Sequence, residues 1–369
     1  ISAYKGKTLK IKYDGNKDGL NKIYQDDKIA GQDSLYSEVN RPQIHFTTRR
    51  GWINDPNGMI YYEGEYHLFY QHNPFEREWE NMSWGHAVSK DLIHWTELPV
   101  AMYPDKLGAI FSGTAVIDEN NTSGFWECPQ FFELPVDGNK NNKKWVMYGA
   151  SGTYMIGSFD GRVFSPEGGK YYYGNGELYA AQTFYNIPES DGRRIQIGWG
   201  RIPQPEKSFN NLMLFPTQLT LRTTKEGVRM YSYPIKELET LQEKEYIFEG
   251  DNQNKAAAFL QQFKEATSLR IKTTFKLFHA TDAGINLNGQ TIFKYDINSN
   301  LINGMFYSPE DMTSLEISAD IIIDKTSIEV FIDGGKFSYA IKRNTDSNNQ
   351  EGFSFFGDRI QIKDLKVYS

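Results

Sequence analysis

The chain has 369 residues and a formal net charge of −7, with 40 Lys and Arg against 47 Asp and Glu. This charge provides no basic field for nucleic acid or for an anionic membrane surface, so we expect neither as a partner. A run of about 18 apolar residues, the length that a membrane-spanning helix needs, does not occur. A neutral or weakly polar substrate fits this composition better.

Aromatic residues make up 15% of the chain, as 24 Phe, 23 Tyr and 7 Trp. This content is typical of a protein with many β-strands, and also of one that stacks on sugars or bases. The single cysteine, Cys128, excludes an internal disulfide. Because His and Cys residues do not cluster at the spacing of metal ligands, we predict no metal and no cofactor.

Residues 1–43 are an N-terminal appendage that the sequence does not assign to a fold. The appendage opens with ISAYKGKTLKIKYDG, which has neither an initiating Met nor the apolar core of a signal peptide. We interpret it as a processed or truncated N-terminus.

Residues 44–235 contain short runs with period-two alternation, separated by Gly, Asn and Asp, which is typical of antiparallel β structure. Three runs share a shape, a polar pair followed by alternating aromatic and aliphatic residues: EGEYHLFY, KKWVMYGA and RRIQIGWG. The last two begin about 50 residues apart, close to the ~40 to 50 residues of a propeller blade. We therefore predict a β-propeller rather than a sandwich for this part.

The pattern changes after a connector at residues 236–244. Residues 245–369 contain runs such as SLEISADIIIDKTSIEVFIDGG, joined by short polar turns. Strands of this kind over about a hundred residues predict a β-sandwich. The sandwich carries no motif that indicates a site, and we expect it to pack against the propeller.

The stretch GWINDPNG at residues 51–58 places a carboxylate, Asp55, between an amide and a proline. One interpretation is a tight turn, since Pro presets φ and Asn-Gly tolerates positive φ. The other is functional, because a rigid turn can aim the carboxylate of Asp55 into a pocket. The local pattern leaves both interpretations open.

Several residues downstream of Asp55 could share a site with it. They are an amide, aromatic rings, a hydroxyl and a second carboxylate: Gln71, Trp79, Trp84, Phe111, Ser112 and Glu127. Glycoside hydrolysis needs two carboxyl groups that flank the scissile bond, in different protonation states. The set therefore indicates a sugar site.

In these residues the chain resembles glycoside hydrolase family 32, the β-fructofuranosidases that include invertases, inulinases and levanases. The matching motifs are WINDPNG (52–58), FYQHNP (69–74), WGHAVSKDLIHW (84–95), FSGTAVID (111–118), ECP (127–129) and YAAQTF (179–184). The resemblance extends from about residue 40 to the end. It implies an all-β fold, with a five-bladed β-propeller followed by a C-terminal β-sandwich.

The resemblance also implies roles for the two carboxylates. Asp55 corresponds to the nucleophile and Glu127 to the general acid/base, with a separation of about 5 Å as in retaining enzymes. Glu127 is then expected to have a raised pKa, whereas Asp55 stays ionised, held by donors such as Asn54 and backbone N–H groups.

Further residues match the family's fructosyl pocket: Gln71, Trp79, Phe111 and Ser112, with Trp199 of IGWG as an additional candidate. From the residues alone, the three aromatic side chains have the propeller core as an alternative place, and Ser112 has a turn. His86 is predicted to be a structural, hydrogen-bonded histidine, and Cys128 to pack behind Glu127.

The implied function is that of a secreted or periplasmic, retaining hydrolase of β-fructofuranosyl linkages in fructans such as levan or inulin. It acts through a covalent fructosyl-enzyme intermediate, and sucrose is a further candidate substrate. An endo-levanase, an invertase and a fructosyltransferase are alternatives, since they differ in subsites that the motifs do not encode. A non-catalytic fructan-binding protein is the alternative from another class.

The chain departs from the family between the FSG and ECP motifs. The family carries an Arg-Asp-Pro motif there, whose Asp stabilises the transition state, and this chain has none. Only 14 residues separate Ser112 from Glu127. A five-bladed propeller needs roughly 190 to 250 residues packed without waste, and residues 44–235 include long stretches outside strands.

Two explanations follow. Either an internal segment near Phe125 and Trp126 is absent from this sequence and the protein is a complete enzyme, or the deletion is real and the protein only binds fructan. We favour the first, because a propeller without interior strands exposes unpaired edges and apolar faces. It predicts a break in the chain at residues 125–126 and an intact mass well above 42.5 kDa.

Overall fold

The computed structural model describes residues 8, 31–104, 108–113, 127–161, 163–204, 208–278, 280–309, 316–344 and 351–369. The break predicted at residues 125–126 lies outside these residues. Residues 1–37 form one compact unit and residues 38–369 another. In the first unit, a 3-10 helix spans Gln32–Ser34.

Strands dominate the described part of the second unit. Between residues 51 and 234 they are β1 (Gly51–Tyr62), β2 (Glu65–Asn73), β3 (Ser83–Ser89), β4 (Thr96–Met102), β5 (Gln130–Val136), β6 (Asn139–Tyr148), β7 (Thr153–Phe159), β8 (Phe164–Pro166), β9 (Tyr171–Tyr172), β10 (Gly174–Gly176), β11 (Leu178–Thr183), β12 (Arg194–Gly200), β13 (Phe209–Asn210), β14 (Leu212–Met213), β15 (Thr217–Thr224) and β16 (Gly227–Pro234).

The remaining strands follow residue 244. They are β17 (Glu245–Ile247), β18 (Leu269–Leu277), β19 (Asp282–Leu287), β20 (Gln290–Asp296), β21 (Leu301–Ile302), β22 (Met305–Phe306), β23 (Glu316–Ile323), β24 (Ser327–Ile332), β25 (Phe337–Lys342), β26 (Phe353–Phe356) and β27 (Ile360–Tyr368). The described helices of this unit are the α-helix α1 (Gln253–Leu260) and three 3-10 helices, Lys236–Leu241, Gln261–Phe263 and Asp333–Gly335. In the described part of the chain, none is long and apolar enough to cross a membrane.

The first sheet contains the stretch GWINDPNG and has the order β13-β1-β2-β3-β4. β1 pairs with β2 from Trp52 to Tyr62, with register shifts between Ile53 and Pro56 and again further along. The tight-turn interpretation is therefore wrong. Pro56 and the positive φ of Gly58 are accommodated by irregular pairing inside one strand, because neighbours on both sides hold that strand in place.

A second sheet follows the path β11-β12-β15-β5-β6-β7-β8, with β14, β16 and β9 attached to it. It meets the first sheet where Tyr61 N–H donates to the carbonyl of Tyr185 and Tyr185 N–H donates to the carbonyl of Met59. Buried side chains of both sheets pack together there: Ile53, Leu68, Tyr70, Phe184, Ile197 and Phe215. Burying each such side chain stabilises the fold by about 1.5–3 kcal/mol.

The C-terminal part forms the predicted sandwich. A sheet of seven strands, β10-β25-β24-β23-β18-β27-β17, faces a sheet of five, β22-β21-β20-β19-β26. Their shared core consists of alternating aliphatic and aromatic positions such as Ile271, Phe275 and Ile285. The all-β class and the C-terminal sandwich are thus confirmed.

His45 links the start of the propeller part to the sandwich through a buried ion cluster. Its Nδ1 lies 2.7 Å from Asp324 Oδ2 and its Nε2 lies 2.6 Å from Glu329 Oε1. Burial lowers the pKa of His45, but hydrogen bonds and charges of the two carboxylates outweigh burial and raise the pKa to about 10. Asp324 also accepts hydrogen bonds from the N–H groups of Gln43 and Ile44. The protonated ring of His45 therefore bridges the carboxylate of Asp324, which directly follows β23, and that of Glu329, which lies in β24.

Replacing His45 by Gln leaves these two buried carboxylates without their shared cation. We expect a loss of about 3–5 kcal/mol in the free energy of unfolding, measured in urea at about pH 6. His94→Gln is the matched control, since His94 pairs with Asp91 at the surface, and it is expected to cost less than about 1 kcal/mol.

The stabilisation by His45 also depends on pH. Because folding raises the pKa of His45 from 6.5 to about 10, its contribution is complete below pH 6.5 and is lost as the pH rises towards 10. The difference between wild type and His45→Gln should shrink over that interval. Equal losses for His45→Gln and His94→Gln at pH 6 would contradict the bridging role.

Candidate active site

Asp55 lies half-buried in β1, at the register shift between Ile53 and Pro56. Ser112 Oγ donates a hydrogen bond of 2.6 Å to Asp55 Oδ2, and the side chain of Asn54 also bonds to this carboxylate. The indole N–H of Trp52 donates to Asn54 Oδ1 at 2.7 Å and so orients the Asn54 amide. The carboxylate is therefore held by neutral donors.

Ser112 reaches Asp55 because its segment, residues 108–113, is tied to the first sheet. Trp84 Nε1 of β3 donates to the carbonyl of Phe111 at 3.0 Å, Ile110 N–H donates to the carbonyl of Met82, and Gly58 N–H donates to the carbonyl of Gly113. These bonds fix the hydroxyl over β1.

Glu127 precedes β5 and is exposed. The hydroxyl of Tyr179, at the start of β11, donates to Glu127 Oε2 at 2.6 Å. Burial and this carboxylate raise the pKa of Tyr179 to about 12, so the hydroxyl stays protonated and remains a donor. Glu127 thus has one carboxylate oxygen oriented by a neighbouring strand.

Cys128 follows Glu127 in the chain, and its thiol lies near Asp55. Its Sγ is 4.0 Å from Asp55 Oδ2, and its backbone has a positive φ of 47°. Burial, and then the charges of Asp55 and Glu127, raise the pKa of the thiol to about 12. The side chain is therefore a neutral group that packs beside both carboxylates, in agreement with the predicted packing role.

Burial is also the main influence on the pKa of Asp55. It raises the pKa of Asp55, and the charge of Glu127 adds to the rise, whereas the hydrogen bonds from Ser112 and Asn54 oppose it. We expected the raised pKa at Glu127 and an Asp55 kept ionised by its donors. The donors are present, but the strand removes Asp55 from water, and this desolvation outweighs them.

Gln71 lies beneath the site in β2, with 1% of its surface exposed. The Asn57 side-chain amide is oriented so that both its oxygen and its nitrogen have hydrogen-bond partners. In this orientation the side-chain oxygen of Asn57 accepts from Gln71 Nε2 at 3.2 Å and from the backbone N–H of Gln71 at 3.1 Å. The predicted pocket residue Gln71 therefore uses its donor to brace β1 against β2.

Trp79 and Phe111 stand at the rim. Their rings stack with centroids 6.2 Å apart and an interplanar angle of 22°, and they are 52% and 61% exposed. Among the described residues, neither ring is therefore packed into a core.

Trp199, in β12, is half-buried beside the site. Its ring lies 6.2 Å from that of Trp52 and 6.1 Å from that of Tyr179, measured between centroids. Its Nε1 is buried and has no hydrogen-bond partner among the described residues.

His86 has a structural environment, as predicted. Its ring stacks on Phe69 at 4.2 Å, and its Nε2 lies 3.0 Å from His67 Nδ1. Burial and the neighbouring His67 lower the pKa of His86. Within the part of the chain that the structure describes, no group of three or more His, Cys, Asp or Glu is placed to hold a metal ion.

Sequence reasoning missed Tyr179 as a partner of Glu127. The residue begins the motif YAAQTF, which was the available signal, but nothing local indicates which carboxylate its hydroxyl contacts. The two residues are 52 positions apart, and only the fold brings them together, through Ala150, whose N–H donates to the carbonyl of Glu127 and whose carbonyl accepts from Ala180 N–H.

Comparison with known proteins agrees with this geometry. The model of the glycosyl hydrolases family 32 N-terminal domain matches residues 45–123 and 118–234. A levanase of Bacillus subtilis (strain 168) is 29% identical over 452 residues, which covers 83% of this chain and 67% of the levanase. An extracellular exo-inulinase of Aspergillus niger is 23% identical over 482 residues, and this alignment covers 82% of this chain and 89% of the exo-inulinase.

A solved structure shares the fold. Fructan 1-exohydrolase IIa from Cichorium intybus superposes with a TM-score of 0.71 at 19% identity. The superposition covers 90% of this chain and 98% of the exohydrolase chain. This likeness confirms the propeller followed by a sandwich.

The levanase alignment is longer than the part of this chain that it covers. Because 83% of 369 residues is about 306, some 146 of its 452 positions have no counterpart here. The two matches to the family model also meet at residues 118–123, close to the point where the sequence departs from the family.

Replacing Ser112 by Ala removes a hydrogen bond that favours the ionised form of Asp55. We expect the pKa of Asp55 to move further upward, because burial is then less opposed. A ¹³C titration of carboxyl-labelled protein measures it, with Asp55→Asn identifying the resonance. Ser83→Ala is the control, since Ser83 bonds to the carbonyl of Asn81; an Asp55 titration unmoved in Ser112→Ala would contradict the contact.

Proposed function

Because the chain belongs to glycosyl hydrolase family 32, whose model matches a little over half of it, we propose that it hydrolyses β-fructofuranosyl linkages in fructans such as levan or inulin, and in sucrose. The observation that carries the proposal is the pair of carboxylates, Asp55 and Glu127, with Cys128 beside both. Relatives named levanase and extracellular exo-inulinase support fructans as the substrate class.

We propose a retaining mechanism with a covalent fructosyl-enzyme intermediate. Asp55 attacks the anomeric carbon, while Glu127 gives a proton to the leaving oxygen and later accepts one from the attacking water. The environments of the two groups support this division. Asp55 is held by a strand and by neutral donors, whereas Glu127 is exposed and can exchange protons with solvent.

Neutral polar and aromatic groups around Asp55 would hold the sugar. The half-buried ring of Trp199 lies beside Trp52 and Tyr179, and Asn54 and Ser112 already face the carboxylate. The stacked pair Trp79 and Phe111 offers a flat apolar surface at the rim, where a sugar ring can pack. Gln71 would act from below by bracing β1.

Replacing each carboxylate tests the roles. Asp55→Asn should abolish turnover of levan, inulin and sucrose without unfolding the protein, because the nucleophile is lost. Glu127→Gln should slow the hydrolysis of substrates with poor leaving groups most, by about 10²–10⁴-fold, because proton donation to the leaving group matters most for them.

Product analysis by chromatography separates exo action, which releases fructose, from endo action, which releases oligomers.

Glu133→Gln is the matched control, since Glu133 is an exposed carboxylate on the nearby strand β5. Hydrolysis retained by Asp55→Asn would overturn the assignment. A wild-type protein that binds levan without cleaving it would instead favour the non-catalytic binding protein.

We also propose that the protein is secreted or periplasmic, since its polymeric substrates lie outside cells. The extracellular exo-inulinase among the relatives supports this location. Fractionation of the source cells measures it.

We propose further that the propeller is completed by an internal segment absent from this sequence between Ser112 and Glu127. The levanase alignment and the two matches meeting at residues 118–123 support it. So do two partly exposed aromatic faces, one on the first sheet around Phe69 and Trp84, the other where Phe131 packs 4.5 Å from Trp145. Faces of this kind are normally covered.

The intact mass of the protein purified from its own source tests this segment. We expect a mass well above 42.5 kDa, the value for the 369 residues, and peptide mapping should place the extra residues between Ser112 and Glu127. A mass of 42.5 kDa would show that the deletion is real.

A further inference from the structure

The larger sheet of the sandwich takes its last strand from the propeller part. β10 pairs in parallel with β25, with Gly174 opposite Ser338 and Gly176 opposite Ala340. Glu177 N–H extends the pairing by donating to the carbonyl of Ala340 at 2.8 Å. The sandwich therefore holds the residues that lead directly into β11.

Gly176 makes this close approach possible. A Cβ atom at Gly176 would lie 2.3 Å from the carbonyl oxygen of Ala340, and the φ of Gly176 is +71°. Both the space and the left-handed backbone exclude other side chains without strain. The distance between β10 and β25 thus depends on glycine at this position.

Arg201 connects the paired segment to the site. Its N–H donates to the carbonyl of Glu177 at 2.9 Å, and its Nη2 donates to the carbonyl of Gly176 at 2.9 Å. The carboxylate of Glu177 lies 3.9 Å from Arg201 Nε. The guanidinium is therefore anchored to backbone that the sandwich holds in place.

The same guanidinium covers the ring of Tyr179. The carbon of the guanidinium lies 4.8 Å from the ring centroid, a distance at which a cation is attracted to an aromatic face. The Tyr179 hydroxyl in turn donates to Glu127 Oε2 at 2.6 Å. A continuous path of contacts thus runs from Ala340 through Gly176, Arg201 and Tyr179 to Glu127.

We propose that Arg201 is a positioning residue that fixes Tyr179 against Glu127, with the C-terminal sandwich as its support. The proposal rests on the proposed function in giving Glu127 the acid/base role. Glu127 is exposed, and an exposed carboxylate samples several rotamers unless a neighbour restricts it. Fixing Oε2 through Tyr179 leaves the other oxygen directed at the leaving group.

Arg201→Gln tests this role. We expect kcat for sucrose, a substrate with a poor leaving group, to fall roughly tenfold while KM changes little, because the proton donor is misaligned and not removed. The activated substrate 4-nitrophenyl β-D-fructofuranoside should be affected much less. Arg201→Lys, which keeps the charge, should restore part of the loss.

Arg229→Gln is the matched control. Arg229 likewise covers a tyrosine, with its guanidinium 4.0 Å from the ring of Tyr171, and has an acidic neighbour, Glu226, at 3.7 Å. It lies on β16, outside the path to Glu127. We expect this variant to hydrolyse both substrates like wild type.

Gly176→Ala tests the support from the sandwich. It should reproduce the kinetic pattern of Arg201→Gln, because the new Cβ displaces β10 from Ala340. Gly138→Ala is its control, since Gly138 has a similar φ of +73° but no atom within 4 Å of the added Cβ. Thermal unfolding of both variants separates a local displacement from loss of the fold.

The outcomes separate the two proposals. If Glu127→Gln itself shows no dependence on the leaving group, the proposed function fails. If Glu127→Gln shows it and Arg201→Gln behaves like Arg229→Gln, then Arg201 only pairs with Glu177 at the rim and the inference is overturned. The inference is supported if Arg201→Gln and Gly176→Ala share the pattern of Glu127→Gln in weaker form.

Discussion

The site depends on a constraint on strand β1, which must remain paired with β2 and β13 while it carries an Asn-Asp-Pro sequence. Proline cannot donate to a ladder, so regular pairing cannot continue through Pro56. The register shifts between Ile53 and Pro56, and Asp55 lies within this shift. Because neighbours on both sides hold the strand, the direction of the Asp55 side chain is set by the sheet.

This placement gives the two carboxylates different surroundings. Asp55 is desolvated by its strand and bonded to Ser112 and Asn54, whereas Glu127 is exposed and bonded to Tyr179. Glycosidases need two carboxyl groups with separate tasks, and separate environments are how proteins achieve this. Burial raises the pKa of Asp55, the group that a bound sugar would further shield from water.

The sandwich contributes to the propeller part at several points. His45 is bridged to Asp324 and Glu329, Ile322 and Phe331 belong to the core of the first two sheets, and β10 belongs to the larger sheet of the sandwich. Polar, apolar and backbone contacts thus act together, and the support for β11 comes from a part of the chain about 160 residues away.

The sequence by itself determined the kinds of element and the chemical groups available. Alternation over residues 44–235 and 245–369 indicated strands, and the motifs around Asp55 and Glu127 indicated the family, because both signals are local. The sequence did not show that GWINDPNG is a strand, that Gln71 is buried against Asn57, or that Tyr179 lies beside Glu127 with Arg201 over its ring. Only the tertiary structure decided these contacts, because they join residues far apart in the chain and depend on strand register and sheet packing, which no local pattern encodes.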